Sequence, residues 1–537
     1  MLGKVVRGSI SDGIDIKLFP GNVIEDVRVG QFLTIEGKKK LYLSLITDIK
    51  YESNNPKLLT DAVDVYEEID EVILDGTGIY GIVNVSPSIE IDKEYGIPLT
   101  VKSIPSYGSM TRYASSEDIK KVFGEPNDIN FVIGTPPDMD IPVCINLKKL
   151  VERSTGIFGR AGTGKTFLTR LLLAGIIKSN QAVNLIFDAH NEYGHGGKDE
   201  ERGKVKGLVH LFGKSKVKVF TMDPRSSANR KASYDGEIVI SFDQIEDEDI
   251  MLLGSELNLN NTAHECIYLL QKKFGHKNWL SEFLKIQESE IDEDFAKGIG
   301  AHRGALQALR RKLQRIERLP FMRETAPDVI SQIMNCLKQD IHVVIEFGQV
   351  ETLGYMLVTN IITRKIHERY VEEVERALGS DQKLPKPLVI TLEEAHRFLD
   401  PSISKDTIMG KIAREMRKYN VVLLIVDQRT SQIDKEIMSQ IGTKITCRLE
   451  DDSDISSFLS GVNNASRLRN ILASLDQKEQ ALLIGYAVPM PVVINTRKYD
   501  ERFYKEVSTF ADDDEILNKP FEEELKEKGY DQLFPEF

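Results

Sequence analysis

Eight residues limit this chain more than any others. GRAGTGKT (Gly159–Thr166) follows the apolar run TGIF and leads directly into the helical run TFLTRLLLAGII. G-x-x-x-x-G-K-T between a strand and a helix is the context a phosphate-binding loop requires. Its glycines let backbone N–H groups curl around an anion, and the helix start adds a favourable dipole. The expected nucleotide contacts are therefore Gly159, Arg160, Ala161, Gly162, Thr163, Gly164, Lys165, Thr166 and Phe167. Lys165 would reach the β- and γ-phosphates of ATP, and Thr166 would ligate Mg²⁺.

Such a loop needs acids on a second strand. PLVITLEEAHRF (Pro387–Phe398) is an apolar run that ends in Glu393 and Glu394, at the carboxyl end of a parallel strand, where α/β sheets bind ligands. Beside a phosphate loop, Glu394 is expected to polarise the attacking water and Glu393 to hold the metal's water shell. On its own the pair would be an ordinary strand-to-helix cap. Two more strand ends point the same way. NLIFDAHNEYG delivers Asp188, His190 and Glu192, and LLIVDQRTSQ places Gln428 where it can sense the γ-phosphate. Ring ATPases complete one subunit's site with a neighbour's guanidinium. Arg153, Arg414, Arg417, Arg429 and Arg448 are the candidates here, each also readable as a structural arginine.

The rest of the chain supplies a frame for these motifs. Residues 1–145 read as short alternating strands such as IDIKLF and KLYLSLITDIKY, which suggests a small β-barrel; a proline-punctuated linker, GTPPDMDIPVCINLKKL, spans its end. Apolar strands then alternate with helices over 146–242 and 339–500, an α/β pattern with a mostly parallel sheet. A helical insertion over 243–338 separates the two parts, and 501–537 reads as a helix with an acidic tail. At 537 residues several domains are expected. Four scattered cysteines suit a reducing cytoplasm and give no zinc spacing. No apolar run is long enough to span a bilayer. A net charge of −13 disfavours a protein that coats nucleic acid with its outer surface, though not one with a basic channel.

Taken in order, the motifs resemble those of the HerA-type ATPases, of the HerA/FtsK group of hexameric DNA translocases. The matching elements are the N-terminal barrel, GRAGTGKT, IFDAHNEYG, EEAHRFL, REMRKYNVVLLIVDQRTSQID and QIGTKITCRL, and they cover nearly the whole chain. The resemblance implies a RecA-like core, a barrel capping one face of a homo-hexameric ring, and a helical insert. It gives Lys165, Glu394, Gln428, Arg153 and Arg417 roles in ATP hydrolysis. It also implies double-stranded DNA in the central channel and a nuclease or other effector as partner, in DNA end processing or in defence against phage. Three positions depart from the family pattern: Glu393 replaces an aspartate, while Met416 and Asn191 replace glycines. Magnesium held through water can absorb one extra methylene. On that reading, Glu393→Asp is expected to be tolerated or even faster.

The leading expectation is thus an ATP-driven duplex-DNA translocase. A scaffold ring that organises a partner effector is the alternative, and a protein-remodelling ring would need aromatic pore loops that the sequence does not show. GKVKG and SSANRKASY read as loops that could present Lys204, Lys206, Arg230 and Lys231 to phosphates without reading sequence.

Overall fold

Alternation along the first strands closes them into a barrel. The strands are β1 (Gly3–Ser9), β2 (Gly13–Leu18), β3 (Phe32–Glu36), β4 (Lys40–Ser53), β5 (Ile79–Asp92), β6 (Pro98–Thr100) and β7 (Met110–Tyr113). Six of them pair in the order β2-β1-β7-β3-β4-β5, and β5 returns to β2, while β6 pairs with the far end of β5. Val5, Ile14, Ile16, Leu33, Ile35, Ile46, Val83 and Val85 fill the interior. Register shifts in β1 and β4 bend the strands, and closure removes most sheet edges.

The computed structural model describes residues 1–54, 78–199, 203–380, 382–405 and 407–508. It divides into two compact units. The first holds Met1–Gly175, Asp427–Ser431 and Met438–Lys498; the second holds Ile176–Val426, Gln432–Ile437 and the chain from Tyr499.

Beside the barrel, the first unit carries β8 (Asn130–Thr135), β9 (Val143–Asn146), β10 (Thr155–Phe158), β21 (Thr443–Thr446), β22 (Gln480–Gly485) and β23 (Val492–Thr496). They lie in the order β10-β21-β22-β23-β8-β9, with β10 and β21 parallel and the rest antiparallel. The expected linker is therefore the β8–β9 hairpin of this sheet, and the barrel proper ends at Tyr113.

The second unit contains β11 (Val183–Asp188), a hairpin of β12 (Gly196–Asp199) and β13 (Gly203–Lys206), β14 (Val217–Thr221), β15 (Gly236–Glu237), β16 (Ile240–Ser241), β17 (Met322–Arg323), β18 (His342–Glu346), β19 (Leu388–Glu393) and β20 (Val421–Asp427). Six of these strands run parallel in the order β15-β14-β18-β11-β19-β20. Every residue of β11, β18, β19 and β20 is buried, which is why these strands read as unbroken apolar runs. Three neighbouring strands, β18, β11 and β19, each end on an acid: Glu346, Asp188 and Glu393.

The helical insertion is narrower than the sequence suggests. Parallel pairing of β16 with β17 joins its two ends. Between them, helices such as Asn261–Phe274, Trp279–Lys285 and Arg303–Glu317 pack around the buried Trp279, Phe283 and Leu313. The helix Val329–Lys338 packs instead against β18 and β11, so it belongs to the core. Arg364, on the long helix Thr352–Leu378, bonds Asp249 at 2.7 Å and Glu248 at 2.9 Å and ties the insertion down. The helix Glu501–Val507 is as expected, and the acidic tail lies outside the described residues. No helix among the described residues is long and apolar enough to cross a membrane.

Candidate active site

In the first unit the phosphate loop leaves β10 and enters the helix Lys165–Ser179. Gly159, Gly162 and Gly164 have φ of 142°, 76° and 103°, where a side chain is strained. At Gly159 a Cβ would also lie 2.9 Å from the Cys447 Cβ and the Thr163 Oγ1. The Arg160 carbonyl organises the turn. It accepts from Thr163 Oγ1 at 2.7 Å and from Lys165 Nζ at 2.8 Å. The Arg160 guanidinium pairs with Glu450, and the Arg160 backbone N–H donates to the Arg448 carbonyl at 3.3 Å. Lys165 thus folds back over its own loop, poised to exchange a carbonyl for a phosphate oxygen. Ala161 is exposed, Thr166 is half-buried on the first helical turn, and Phe167 lies 5.2 Å from the Arg170 guanidinium.

Two other candidates belong to this unit. Arg153 lies over the Tyr486 ring at 4.4 Å, and its buried Nε has no hydrogen-bond partner among the described residues. Gly442 leaves room for it, since a Cβ there would sit 2.5 Å from the Arg153 Cβ. Gln428 is exposed at the end of the β20 segment, just after Asp427, whose Oδ1 accepts the Arg429 N–H at 2.8 Å.

The acids belong to the second unit. Glu394 has φ of 49°, a left-handed conformation that is costly for any residue with a Cβ. Its carboxylate is part-exposed, 3.8 Å from His396 Nε2. Glu393 is only 5% exposed. Its Oε1 accepts from the Tyr193 hydroxyl at 2.8 Å and its Oε2 from the Ala189 N–H at 3.1 Å. Both Glu393 oxygens are thus engaged by protein donors, and its expected place on the metal side of the site rests on the sequence motif. Thr166 fits the ion as a hydroxyl at the phosphate end of its helix. Among the described residues no three His, Cys, Asp or Glu side chains converge as a metal cage.

Asp188 anchors the turn that follows β11. It accepts the N–H groups of Glu192 at 2.7 Å, Tyr193 at 2.8 Å and Gly194 at 3.2 Å. Asn191 stands at φ 57°, where asparagine is the best substitute for glycine, and its Oδ1 accepts the Gly348 N–H at 3.0 Å. That accounts for the departure from the family pattern. Burial raises the pKa of both Asp188 and Glu393; Glu346 adds to the first shift and Asp188 to the second, so the group holds a proton above the usual carboxylate range. Burial would raise Glu346 as well, but His195 at 3.1 Å and Arg230 at 2.6 Å keep it below its ordinary value.

That last contact engages one of the four basic channel candidates. SSANRKASY begins in the helix Pro224–Asn229, and the Arg230 guanidinium donates to Glu346. GKVKG contains strand β13, with the Lys206 ammonium 5.6 Å from the Tyr504 ring. Lys231 is exposed at φ 54°. The side chains of Lys204 and Arg417 lie outside the described residues, though Arg417 sits in the short helix Met416–Tyr419. Arg414 is committed locally, with Nη1 donating to the Ser404 carbonyl at 2.8 Å. Tyr193 stood in a quoted motif without a role, and Tyr355 carried no signal at all. Its hydroxyl donates to the Glu393 carbonyl at 2.8 Å, a contact only the folded chain makes.

A glycine-rich loop turned onto a helix start, with paired acids at the carboxyl end of a parallel strand, defines a P-loop ATPase. Residues 131–366 match the family described as "Helicase HerA, central domain". The chain is 24% identical to the DNA double-strand break repair helicase HerA of Saccharolobus solfataricus, covering 88% of each chain. It is 23% identical to the HerA of Pyrococcus furiosus, covering 93% of this chain and 92% of that one. Among solved structures, the plasmid coupling protein TrwB bound to a GTP analogue aligns with a TM-score of 0.47 at 14% identity, over 73% of this chain and 95% of that one. The protein is a P-loop ATPase of the helicase class, similar to the HerA helicases over most of its length.

Proposed function

We propose that this protein hydrolyses ATP to move along double-stranded DNA as a homo-hexamer, in DNA repair or in defence against phage, with a nuclease or other effector as partner. Lys165 neutralises the β- and γ-phosphates and Thr166 holds Mg²⁺. Glu394 takes the proton of the attacking water. Gln428 senses the γ-phosphate, and Arg153 and Arg417 serve the neighbouring subunit's nucleotide. Lys204, Lys206 and Lys231 remain the candidates for phosphate contacts in the channel. Scattered cysteines that suit a reducing compartment support the cytoplasm as the proposed location.

The observation that carries the reading is the phosphate loop itself, with three glycines at positive φ and Lys165 held over the cradle. Likeness to the HerA helicases, which continues through the barrel, supports the choice of DNA as the track. The test is magnesium-dependent ATP turnover with and without duplex DNA, alongside displacement of a triplex-forming strand as the readout of movement. Stimulation by duplex DNA and strand displacement are expected.

A second reading, an ATP-binding ring that organises an effector, is favoured by one observation. Arg230, one of the four basic channel candidates, is engaged within the chain by Glu346. Turnover indifferent to DNA, with an effector active only beside the ATP-bound ring, would select it.

A further inference from the structure

We infer that Tyr355 and Tyr193 are positioning residues that set the Glu394 carboxylate by gripping the residue before it from two sides. The inference rests on the reading that Glu394 activates water. Glu394 sits at φ 49°, a conformation a side chain adopts only when its surroundings hold it there. The peptide linking it to Glu393 is where that hold acts. On one side, the Tyr355 hydroxyl donates to the Glu393 carbonyl at 2.8 Å. On the other, the Tyr193 hydroxyl donates to Glu393 Oε1 at 2.8 Å, and the Ala189 N–H donates to Oε2 at 3.1 Å. Main chain and side chain of one residue are thus pinned independently, which leaves the following residue little freedom to swing.

Both grips are themselves rigid. The Tyr355 ring lies edge-on to Phe347 at 4.7 Å and to Phe398 at 5.6 Å, so its hydroxyl has one direction available. It projects from the long helix Thr352–Leu378, which Arg364 ties to Asp249. The Tyr193 side chain is fully buried, and its backbone N–H is held by Asp188 Oδ2 at 2.8 Å. Burial raises both phenols well above their ordinary pKa, so each remains a proton donor throughout the working pH range. Neither tyrosine is proposed to touch nucleotide. Each acts through Glu393 on the geometry of Glu394, and a displacement well under 1 Å of a catalytic group is costly to rate.

The experiment measures steady-state ATP turnover by the full chain as parent, Tyr355→Phe, Glu394→Gln and the double variant, with melting temperature and ATP-analogue affinity taken on each. Tyr355→Phe removes one hydroxyl and keeps the ring. The expected result is a fall in kcat of roughly tenfold with KM and analogue affinity unchanged, as for an interaction felt only in the transition state. In the Glu394→Gln background the same change should produce no further loss, because the group being positioned is already gone. Tyr193→Phe should repeat this pattern, and it replaces Tyr355→Phe should that variant not fold. Parental kcat in both phenylalanine variants, or an equal fold loss with and without Glu394, overturns the inference. A Glu394→Gln protein that turns over at the parental rate would sink the underlying assignment instead, so the two failures are distinguishable.

Discussion

Glu393→Asp separates two accounts of the first acid, because they predict opposite results. If Glu393 served the metal side of the site, the shorter acid would be neutral or would speed hydrolysis. The structure gives another expectation. Removing one methylene draws the carboxyl back by about 1.5 Å along an extended side chain. The hydrogen bonds to Tyr193 at 2.8 Å and Ala189 at 3.1 Å would then stretch beyond 4 Å, and two buried donors would lose their acceptor. An unsatisfied buried donor costs about 1–3 kcal/mol, and a deleted buried methylene adds about 1 kcal/mol. Relaxation recovers part of this, and drawing the carboxyl away from buried Asp188 relieves some repulsion. The net expectation is a loss of about 2–3 kcal/mol. Urea unfolding followed by tyrosine fluorescence should show an earlier midpoint for the second unit, and ATP turnover should fall. An unchanged midpoint together with parental or faster turnover would refute the brace and return Glu393 to the metal.

Four further outcomes follow from the same geometry. Lys165→Ala should abolish magnesium-dependent ATP hydrolysis with the far-UV spectrum and melting temperature preserved, since the Nζ donates to a carbonyl of the phosphate loop itself. Glu394→Gln should bind ATP and hydrolyse it at least ~10²-fold more slowly, the scale of a lost general base. Glu394→Gln subunits mixed with Arg153→Ala or Arg417→Ala subunits should regain part of the lost turnover if the arginine acts across subunits; mixed rings with no recovery would assign it to its own chain, where Arg153 already stacks on Tyr486. His342 is buried and neutral, its pKa pushed down to about 3 by burial and by the nearby Lys386 and Lys216. Unfolded, it takes up a proton near its ordinary 6.5, so its contribution to stability is complete above pH 6.5 and drains away as pH falls toward 3. At pH 5 the loss is about 2 kcal/mol, and His342→Asn, read by urea midpoints at pH 5 and 7, should remove that share of the pH dependence.

What was legible in the sequence was what local chemistry dictates. GRAGTGKT announces three strained glycines, a helix start and a lysine because each has a local cause, and the structure places all of them at the loop. The buried parallel strands were equally plain, since a strand covered on both faces has nowhere to put a polar residue until it ends. The partner of a lysine or arginine was not legible from composition. A basic residue in a polar stretch looks the same whether it meets solvent, a phosphate or a buried acid, and only the arrival of Glu346 from β18, 116 residues along the chain, settled the contact made by Arg230.

Glu393 shows the same limit from the acidic side. Read locally, it is an aspartate with one methylene too many, a departure at the metal position. Read in the fold, that methylene is the length that reaches Tyr193, 200 residues earlier in the chain, while Tyr355, 38 residues earlier, holds the carbonyl of the same residue. A substitution that looks like damage to a motif becomes a matched part once its partners are known. The test is reciprocity. With Tyr193→Phe in place the long acid has lost its phenolic donor, so Glu393→Asp should cost less in that background than in the parent, by about 1 kcal/mol for the shared hydrogen bond. Strict additivity of the two changes would mean that the length of Glu393 and the presence of Tyr193 are unrelated.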